Sequence, residues 1–415
     1  MDSFIIQILS KFFYYIKAVR IRIASLILKK FIITTEVLLQ NKLKTQETIY
    51  IENDQKFNIK PTGQVTTDRY FSKWIGEHDV KGQFLIMLKN AYIVTEWAIP
   101  VTDDGQIIIE TSGKLSSLLG NLVSRSKTVW FTEYKLIFFL LCIKISKFLK
   151  FNFFSKKKIK TPLFHVVPRH GFSFIDGPTF SHWIFENLPQ LRMYFKAISY
   201  ESNIKLYLGG IIKEWQIETL KLLGINEKKI FKYKQPFFSK LSEIYICRLP
   251  IINSSGIKFD PVGRSWVNQT IRHSLSEKNF INSKIPKFKK IAFSRKYCSR
   301  RRILNEDQFL DVLNGKGYKI IYPEKISENE KIFNSYYAKT ILGFPSGSAL
   351  ANFIFSQRPR LIEIQNKDKL IPVWFLLSQE LEMSYSLKFA NFKGNKPDFR
   401  DNNFIINSEN FEDDL

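Results

Sequence analysis

An α/β protein is predicted by three patterns in the sequence. Short apolar runs alternate tightly with helical patterns from 291 to 364. The same alternation recurs more loosely from 161 to 272. Between 48 and 113 the apolar period drops toward two, with turn residues between the runs.

Taken in order, residues 1 to about 43 read as a basic amphipathic helix, with Phe4, Ile5, Ile8, Phe12, Phe13 and Ile16 at helical spacing among Lys and Arg. A second such stretch runs from Lys135 to Lys160, with Phe138, Leu140, Leu141 and Phe148 among lysines. Two readings fit both stretches. Helices of this kind can lie in an anionic membrane interface, each basic residue contributing about 1 kcal/mol near the surface. Equally, they can be ordinary surface helices with their apolar faces packed inward.

Ile49-Tyr50-Ile51, Phe84-Leu85-Ile86, Tyr92-Ile93-Val94 and Ile107-Ile108-Ile109 are read as a small antiparallel β meander, with Lys89-Asn90 and Asp103-Asp104-Gly105 as turns. Phe164 to Val167, Leu206 to Leu208 and Glu243 to Ile246 are expected strands of a parallel sheet, with a helix from about Glu214 to Leu223 closed by Gly224. The last third is a β-α-β-α-β-α-β series, one nucleotide-binding half of doubly wound type. Its strands are Ile291–Phe293, Tyr318–Tyr322, Thr340–Leu342 and Leu361–Ile364, and its last helix is Ser348–Phe355. The polar, lysine-rich stretch 277–290 is the expected linker. The resulting domains are a helical segment over 1–45, an N-terminal domain over 46–276, a C-terminal domain over 277–387 and a poorly ordered polar tail over 388–415.

Composition narrows the function classes. Lys and Arg total 63 against 38 Asp and Glu, a net charge of +25, which favours an anionic partner: membrane surface, nucleic acid or phosphorylated substrate. An AT-rich coding sequence would inflate Phe, Ile, Lys and Asn together, so charge alone does not name the partner. The 3 widely spaced cysteines form neither a disulfide framework nor a zinc site, and a reducing compartment is the default. No His cluster has metal-ligand spacing, and no Asp-x-Asp triplet stands ready to hold a divalent metal against a diphosphate. No run reads as a membrane span, and the interrupted N-terminal stretch does not read as a cleavable signal.

Four constellations can carry chemistry. His182 and Glu186 stand at i and i+4, where a carboxylate can orient an imidazole and raise its basicity, as a general base requires. An inconsequential helix-surface pair fits the same spacing. Pro189 then kinks the helix or starts a new one. Next, Arg295, Lys296, Arg300, Arg301 and Arg302 lie between a strand and a helix, where a parallel sheet opens its ligand crevice. Guanidinium forks there suit a diphosphate; a nucleic-acid stripe and a solvated loop are the competing readings. Third, Gly343 to Leu350, with Ser346, Gly347 and Ser348, joins a strand to a helix whose N-terminus can meet an anion, or is simply a tight turn. Fourth, Glu363 ends the last strand, where a carboxylate can accept ribose hydroxyls.

The order of these blocks resembles glycosyltransferase family 61. The resemblance runs from about His165 to Ile364. It rests on His182-Trp183-x-x-Glu186-x-Leu188-Pro189, on Ser294-Arg295 followed by Arg301-Arg302-Ile303-x-Asn305-Glu306, on Glu330, and on Pro345-Ser346-Gly347-Ser348-Ala349-Leu350-Ala351-Asn352 leading to Ile362-Glu363. It implies a GT-B-like architecture of two facing Rossmann-like domains, with metal-independent transfer and inversion at the anomeric carbon. The C-terminal half would then hold the nucleotide-sugar and the N-terminal half the acceptor and base. His182 becomes the base, with Glu186 as its orienter or the alternative base. Arg295, Arg301, Arg302, Asn305, Glu330, Ser346, Gly347, Ser348 and Glu363 become nucleotide-sugar contacts. No cofactor is expected beyond the substrate. The implied partners are a nucleotide-sugar donor and a glycan or glycolipid acceptor at the cytoplasmic face of the membrane, with peripheral contact to anionic lipid and none to nucleic acid. Ser346 departs from the His common at that place in the family, and Lys331 from a common Gln. A basic nucleic-acid-binding protein and a non-catalytic polysaccharide-biosynthesis scaffold are the alternative functions.

Overall fold

In the computed structural model, residues 19–20, 22–33, 46–94, 99–108, 132–149, 158–166, 179–208, 212–232, 238–248, 260–277, 286–298, 301–344, 348–367, 370–393 and 403–406 are described. The chain divides into two compact units, one of 1–53, 81–217 and 226–251, the other of 54–80, 218–225 and 252–415.

The first unit is built from two five-stranded sheets. One contains Leu163–His165, Lys205–Tyr207 and Glu243–Cys247 in parallel register, extended by antiparallel Phe84–Lys89 and Gln46–Ile51. The second contains Ile32–Ile33, Ile107–Ile108, Ile99–Val101, Tyr92–Val94 and Phe238–Lys240. Alternation decides which residues fill the space between the sheets: Phe84, Ile86, Leu88, Ile244 and Ile246 meet Ile33, Ile93 and Ile108 in one buried cluster. On the other side of the first sheet lies the helix Leu191–Tyr200, whose Tyr194 packs edge-on to Phe164 at 5.6 Å. The outer face of the second sheet presents Tyr92, Ile99, Val101 and Ile107. Ala24 and Leu28 of the helix at 22–28, Phe31 beyond it, and Leu136, Phe139, Leu140 and Ile143 of the helix Thr132–Phe148 cover that face.

The second unit is organised by a five-stranded sheet whose neighbours are all parallel: β1 (Lys290–Phe293), β2 (Lys319–Ile321), β3 (Thr340–Gly343), β4 (Arg360–Gln365) and β5 (Ser384–Phe389), in spatial order 2-1-3-4-5. Strands buried on both faces read as continuous apolar runs, as Ile291-Ala292-Phe293 and Ile341-Leu342 do. The helices Glu306–Gly315 and Glu328–Tyr337 make the first two crossovers, and the third connection is a 3-10 helix, Ser348–Phe355, where the sequence predicts an α-helix.

Several expectations are corrected. The period-two stretch at 48–113 is not one meander. Its strands join different sheets, and Gln55–Ile59 with Gly76–Val80 forms a hairpin of the second unit. Between them the helix Val65–Phe71 stacks Phe71 on Phe375 at 4.8 Å, and Thr67 Oγ1 accepts the N–H of Leu387 at 3.2 Å. The helix Pro261–Glu277 also belongs to the second unit rather than to a domain ending at 276. Its buried Arg264 donates to Glu380, and its Asn268 Nδ2 donates to the carbonyl of Ile354 at 2.5 Å. The expected tail is partly regular structure, since Asn391–Lys393 pairs antiparallel with Asn403–Ile405. Of the first amphipathic stretch, residues 1–18 and 34–45 lie outside the described residues. The helix there gives way by Ile32 to a strand, so a helix to 43 is not what forms.

Candidate active site

The first unit carries His182 and Glu186 on a helical segment with an unusual turn. An α-helical turn, Phe180–His182, runs into a π turn, Trp183–Asn187, then a 3-10 turn, Leu188–Gln190, before the helix Leu191–Tyr200. The π turn is closed by the N–H of Leu188 on the carbonyl of Trp183. Pro189, which has no N–H to give, falls at the second position of the 3-10 turn. Neither a simple kink nor a new helix describes this junction: the path stays helical and absorbs an extra residue. Single π turns inside helices are frequent at functional sites.

His182 Nδ1 lies 2.9 Å from Glu186 Oε1. An ionised carboxylate only accepts, so Nδ1 carries the proton and Nε2 keeps the basic lone pair. The carboxylate is the inner partner, 8% exposed against 25% for the imidazole. His182 is therefore the member of the pair that solvent, and a substrate, can reach. Gln190 holds the backbone below it, donating Nε2–H to the carbonyl of Glu186 at 2.8 Å. Trp215 packs edge-on to both Phe180 and Trp183, at 5.5 and 6.1 Å, and walls one side of the segment.

A brace that the sequence reading passes over secures the following helix. Arg192 donates through both terminal nitrogens to Glu52, with Nη2 to Oε2 at 2.8 Å. Burial pushes the Glu52 carboxyl up, but the Arg192 bonds outweigh it and hold the group below its ordinary range. Residues 140 apart in the sequence leave no local signal for such a pair.

In the second unit the strand order reverses direction between β1 and β3. The connections leaving these two strands depart to opposite sides, and the crevice outside their carboxyl ends is where doubly wound sheets take ligands. Two of the sequence constellations follow those two strands directly. Ser294 and Arg295 continue β1. Gly343 and Phe344 end β3 and precede the 3-10 helix starting at Ser348.

The turn after β1 is fixed by one carboxylate. Glu306 Oε1 accepts from Ser294 Oγ and from the backbone N–H of Arg295, each at 2.7 Å. Burial raises the Glu306 pKa despite those two bonds. Arg295, itself only 9% exposed, donates Nε–H to the carbonyl of Arg301 at 2.6 Å and ties the loop to its own far end. Arg301 adopts φ +59°, in the left-handed region that non-glycine residues seldom enter. Arg302 is exposed, and Lys296 pairs at the surface with Asp307 at 2.7 Å. Arg300 lies outside the described residues.

At the end of β3, backbone and helix approach closely. A Cβ on Gly343 would come within 2.5 Å of Leu350 Cδ1, so any larger residue here requires that buried side chain to shift. Pro345, Ser346 and Gly347 lie outside the described residues, which leaves Ser348 at the head of the 3-10 helix as the placed member of that block.

Three of the predicted contacts have partners within the chain. Glu330 closes a capping box: its carboxylate accepts from the N–H and Oγ of Ser327, at 2.9 and 2.8 Å, and Ser327 Oγ accepts the N–H of Glu330. The pattern Ser327-x-x-Glu330 is itself a helix-start signature, and the sequence reading overlooks it. Asn305 faces the chain terminus, donating Nδ2–H to the carbonyl of Ile406 at 2.6 Å and accepting its N–H at 3.0 Å. The same terminal strand takes the N–H of Leu304 on the Phe404 carbonyl at 2.8 Å, so it buttresses the arginine loop. Glu363 is not at a strand end. It sits in the middle of β4, fully buried, accepting from Tyr385 Oη at 2.7 Å. Burial pushes its carboxyl up to about 8, against the pull of hydrogen bonds from Tyr385 and Gln365. The carboxyl is buried at mid-strand against Tyr385, not presented at the strand's end where the ribose argument places it.

Among the described residues, no group of three His, Cys, Asp or Glu side chains could hold a metal ion. None of the described helices is long and apolar enough to cross a membrane. Residues 180–362 match the family described as Glycosyltransferase 61. No curated protein matches the chain.

Proposed function

Through residues 180–362 the chain belongs to glycosyltransferase family 61, and from that premise we infer that it transfers a sugar from a nucleotide-sugar to a hydroxyl of a surface-glycan precursor. The transfer proceeds with inversion and without a metal. The observation that carries this reading is topological. In the parallel-sheet unit, Ser294-Arg295 continue β1 and Gly343-Phe344 lead out of β3, the two strands that flank the switch point.

The residues support a single displacement. The acceptor hydroxyl gives its proton to His182 Nε2 as its oxygen attacks the anomeric carbon. Glu186, 2.9 Å from Nδ1, stabilises the imidazolium that forms. The bond from the anomeric carbon to the diphosphate oxygen breaks, and the departing nucleoside diphosphate gains negative charge. Arg295, Arg301 and Arg302 meet that charge, with the backbone N–H groups at the head of the Ser348–Phe355 helix. No covalent enzyme intermediate is required for one inversion. The GT-B reading assigns the donor to the parallel-sheet unit and the base to the unit that holds His182. The acceptor, a glycan or glycolipid, is met at the cytoplasmic membrane face.

The test is a panel of nucleotide-sugars assayed for nucleoside diphosphate release in the presence of chelator. Turnover of at least one donor that His182→Ala abolishes, while donor binding persists, supports the reading. Turnover unchanged in His182→Ala removes the base from it. A protein that binds donors but never turns them over is the scaffold alternative.

A further inference from the structure

The two basic helices of the first unit bury one apolar face and expose another. In Thr132–Phe148, Leu136, Phe139, Leu140 and Ile143 are buried against the sheet. At 100° per residue, Phe138, Leu141, Ile145 and Phe148 fall on the opposite side, continued by Leu149 just past the helix. All five are exposed, Phe138 at 70% and Phe148 at 85%. The helix at 22–28 repeats the arrangement. Ala24 and Leu28 face the core, while Ile23 and Leu26 are exposed, as is Val19 ahead of the helix. These eight side chains are as many large exposed apolar groups as the rest of the described residues supply together. Scattered surface leucines need no explanation, but a concentration on two helices covering one sheet face does. Both helices pack on the same side of that sheet through one cluster, so both outer stripes look away from it.

The charges on the two helices are predominantly basic. Between 19 and 33 there are Arg20, Arg22, Lys29 and Lys30 and no acidic residue. Between 132 and 149 there are Lys135, Lys144 and Lys147 against Glu133. Lys144 lies over the Phe31 ring at 4.6 Å, and Lys147 pairs with Asp103 at 3.4 Å, both at the exposed rim. Apolar side chains in a stripe, edged by cations, match a surface that is apolar below and anionic above.

The geometry points to this two-helix face as a docking surface for an anionic lipid bilayer. The helices lie in the interface with Phe138, Leu141, Ile145 and Phe148 entering the acyl boundary and the basic residues among the headgroups. The surface stands on the first unit alone and is independent of the transferase reading, though it would hold the enzyme where a lipid-linked acceptor resides.

Flotation of the full chain with two vesicle types tests it, one of phosphatidylcholine and one of phosphatidylcholine mixed with phosphatidylglycerol. The protein is expected to float with the anionic vesicles, less at high salt and poorly with the neutral ones. Phe138→Glu with Phe148→Glu should lower partitioning by roughly tenfold or more. Leu141→Ser with Ile145→Ser is a milder pair acting the same way. Val65→Glu and Val373→Glu, exposed apolar positions of the other unit, should leave it unchanged. Nucleoside diphosphate binding, measured separately by calorimetry, should be untouched in all of these variants. The inference is overturned if the wild type fails to float with anionic vesicles, or if both stripe pairs float as it does. It is also overturned if the wild type is a dimer that the stripe variants dissociate while vesicle binding is nil, because the face is then an interface between copies.

Discussion

One carboxylate oxygen of Glu306 takes the hydroxyl of Ser294 and the backbone N–H of Arg295, both at 2.7 Å. The arginine that continues the first strand of the parallel sheet is thus held by a residue at the start of the following helix. Replacing Glu306 with Ala leaves two donors buried and unmatched, which costs about 1–3 kcal/mol each at most. The expected result is a lower melting temperature together with weaker donor binding and little change in the limiting rate for donor that does bind. Equal thermal loss without any change in donor affinity would separate the loop from the donor site.

The pair His182 and Glu186 makes a different prediction. His182→Ala should reduce turnover by at least ~10²-fold, the contribution of a positioned general base, with donor affinity within error of the wild type. Glu186→Gln keeps a hydrogen-bond partner for Nδ1 but removes the charge that favours the imidazolium. It should lower the limiting rate by roughly tenfold or more and move the ascending limb of the pH–rate profile toward lower pH. A Glu186→Gln variant with an unmoved profile would mean that the carboxylate does not tune the imidazole.

Glu330 is expected to matter for stability only. Glu330→Ala breaks the capping box with Ser327 and should cost about 1 kcal/mol in thermal or denaturant unfolding. Donor turnover should stay at the wild-type level. A large loss of donor affinity would return Glu330 to the contact role that the family resemblance implies.

Glu363 gives a pH signature. Its folded-state pKa, near 8, is above the ordinary carboxyl value, so its contribution to stability is fully present below about 4.5 and is lost as pH rises through about 8. Each unit of separation is worth about 1.4 kcal/mol. Glu363→Gln, which mimics the neutral acid, should flatten the stability profile between those pH values and leave the fold intact. Chemical unfolding at a series of pH values checks this; an unchanged slope would show that Glu363 is not the group responsible.

Much of the parallel sheet was legible because strands buried on both faces announce themselves as apolar runs, and Ile341-Leu342 or Leu361-Ile362 can hardly be read otherwise. β5 escaped for the opposite reason. Ser384, Ser386 and Lys388 dilute its pattern, and its cover comes from Gln64 and Thr67, more than three hundred positions earlier. The His182–Glu186 contact followed from helical spacing, but the π turn beneath it has no sequence signal at this length. Glu363 reads from the sequence as an acid ending an apolar run; its place in mid-strand and its bond to Tyr385 depend on a strand that the sequence does not announce. Asn305 enters the site through the family resemblance alone; its bond to Ile406, in a stretch that reads as tail, has no sequence signal. Helical spacing alone lets the amphipathic stretches face either membrane or core; each helix has two apolar faces, one of which is buried.

The measurement that bears most directly on the central claim is calorimetric titration of nucleoside diphosphates, in chelator and at physiological salt, into the wild type, Arg295→Ala and His182→Ala. The expected result is binding by the wild type and by His182→Ala, with affinity lowered roughly tenfold or more in Arg295→Ala as its charge-assisted bonds are lost. No nucleoside diphosphate binding by the wild type, alongside oligonucleotide binding that falls steeply with salt, would contradict the account and leave a nucleic-acid-binding protein in its place.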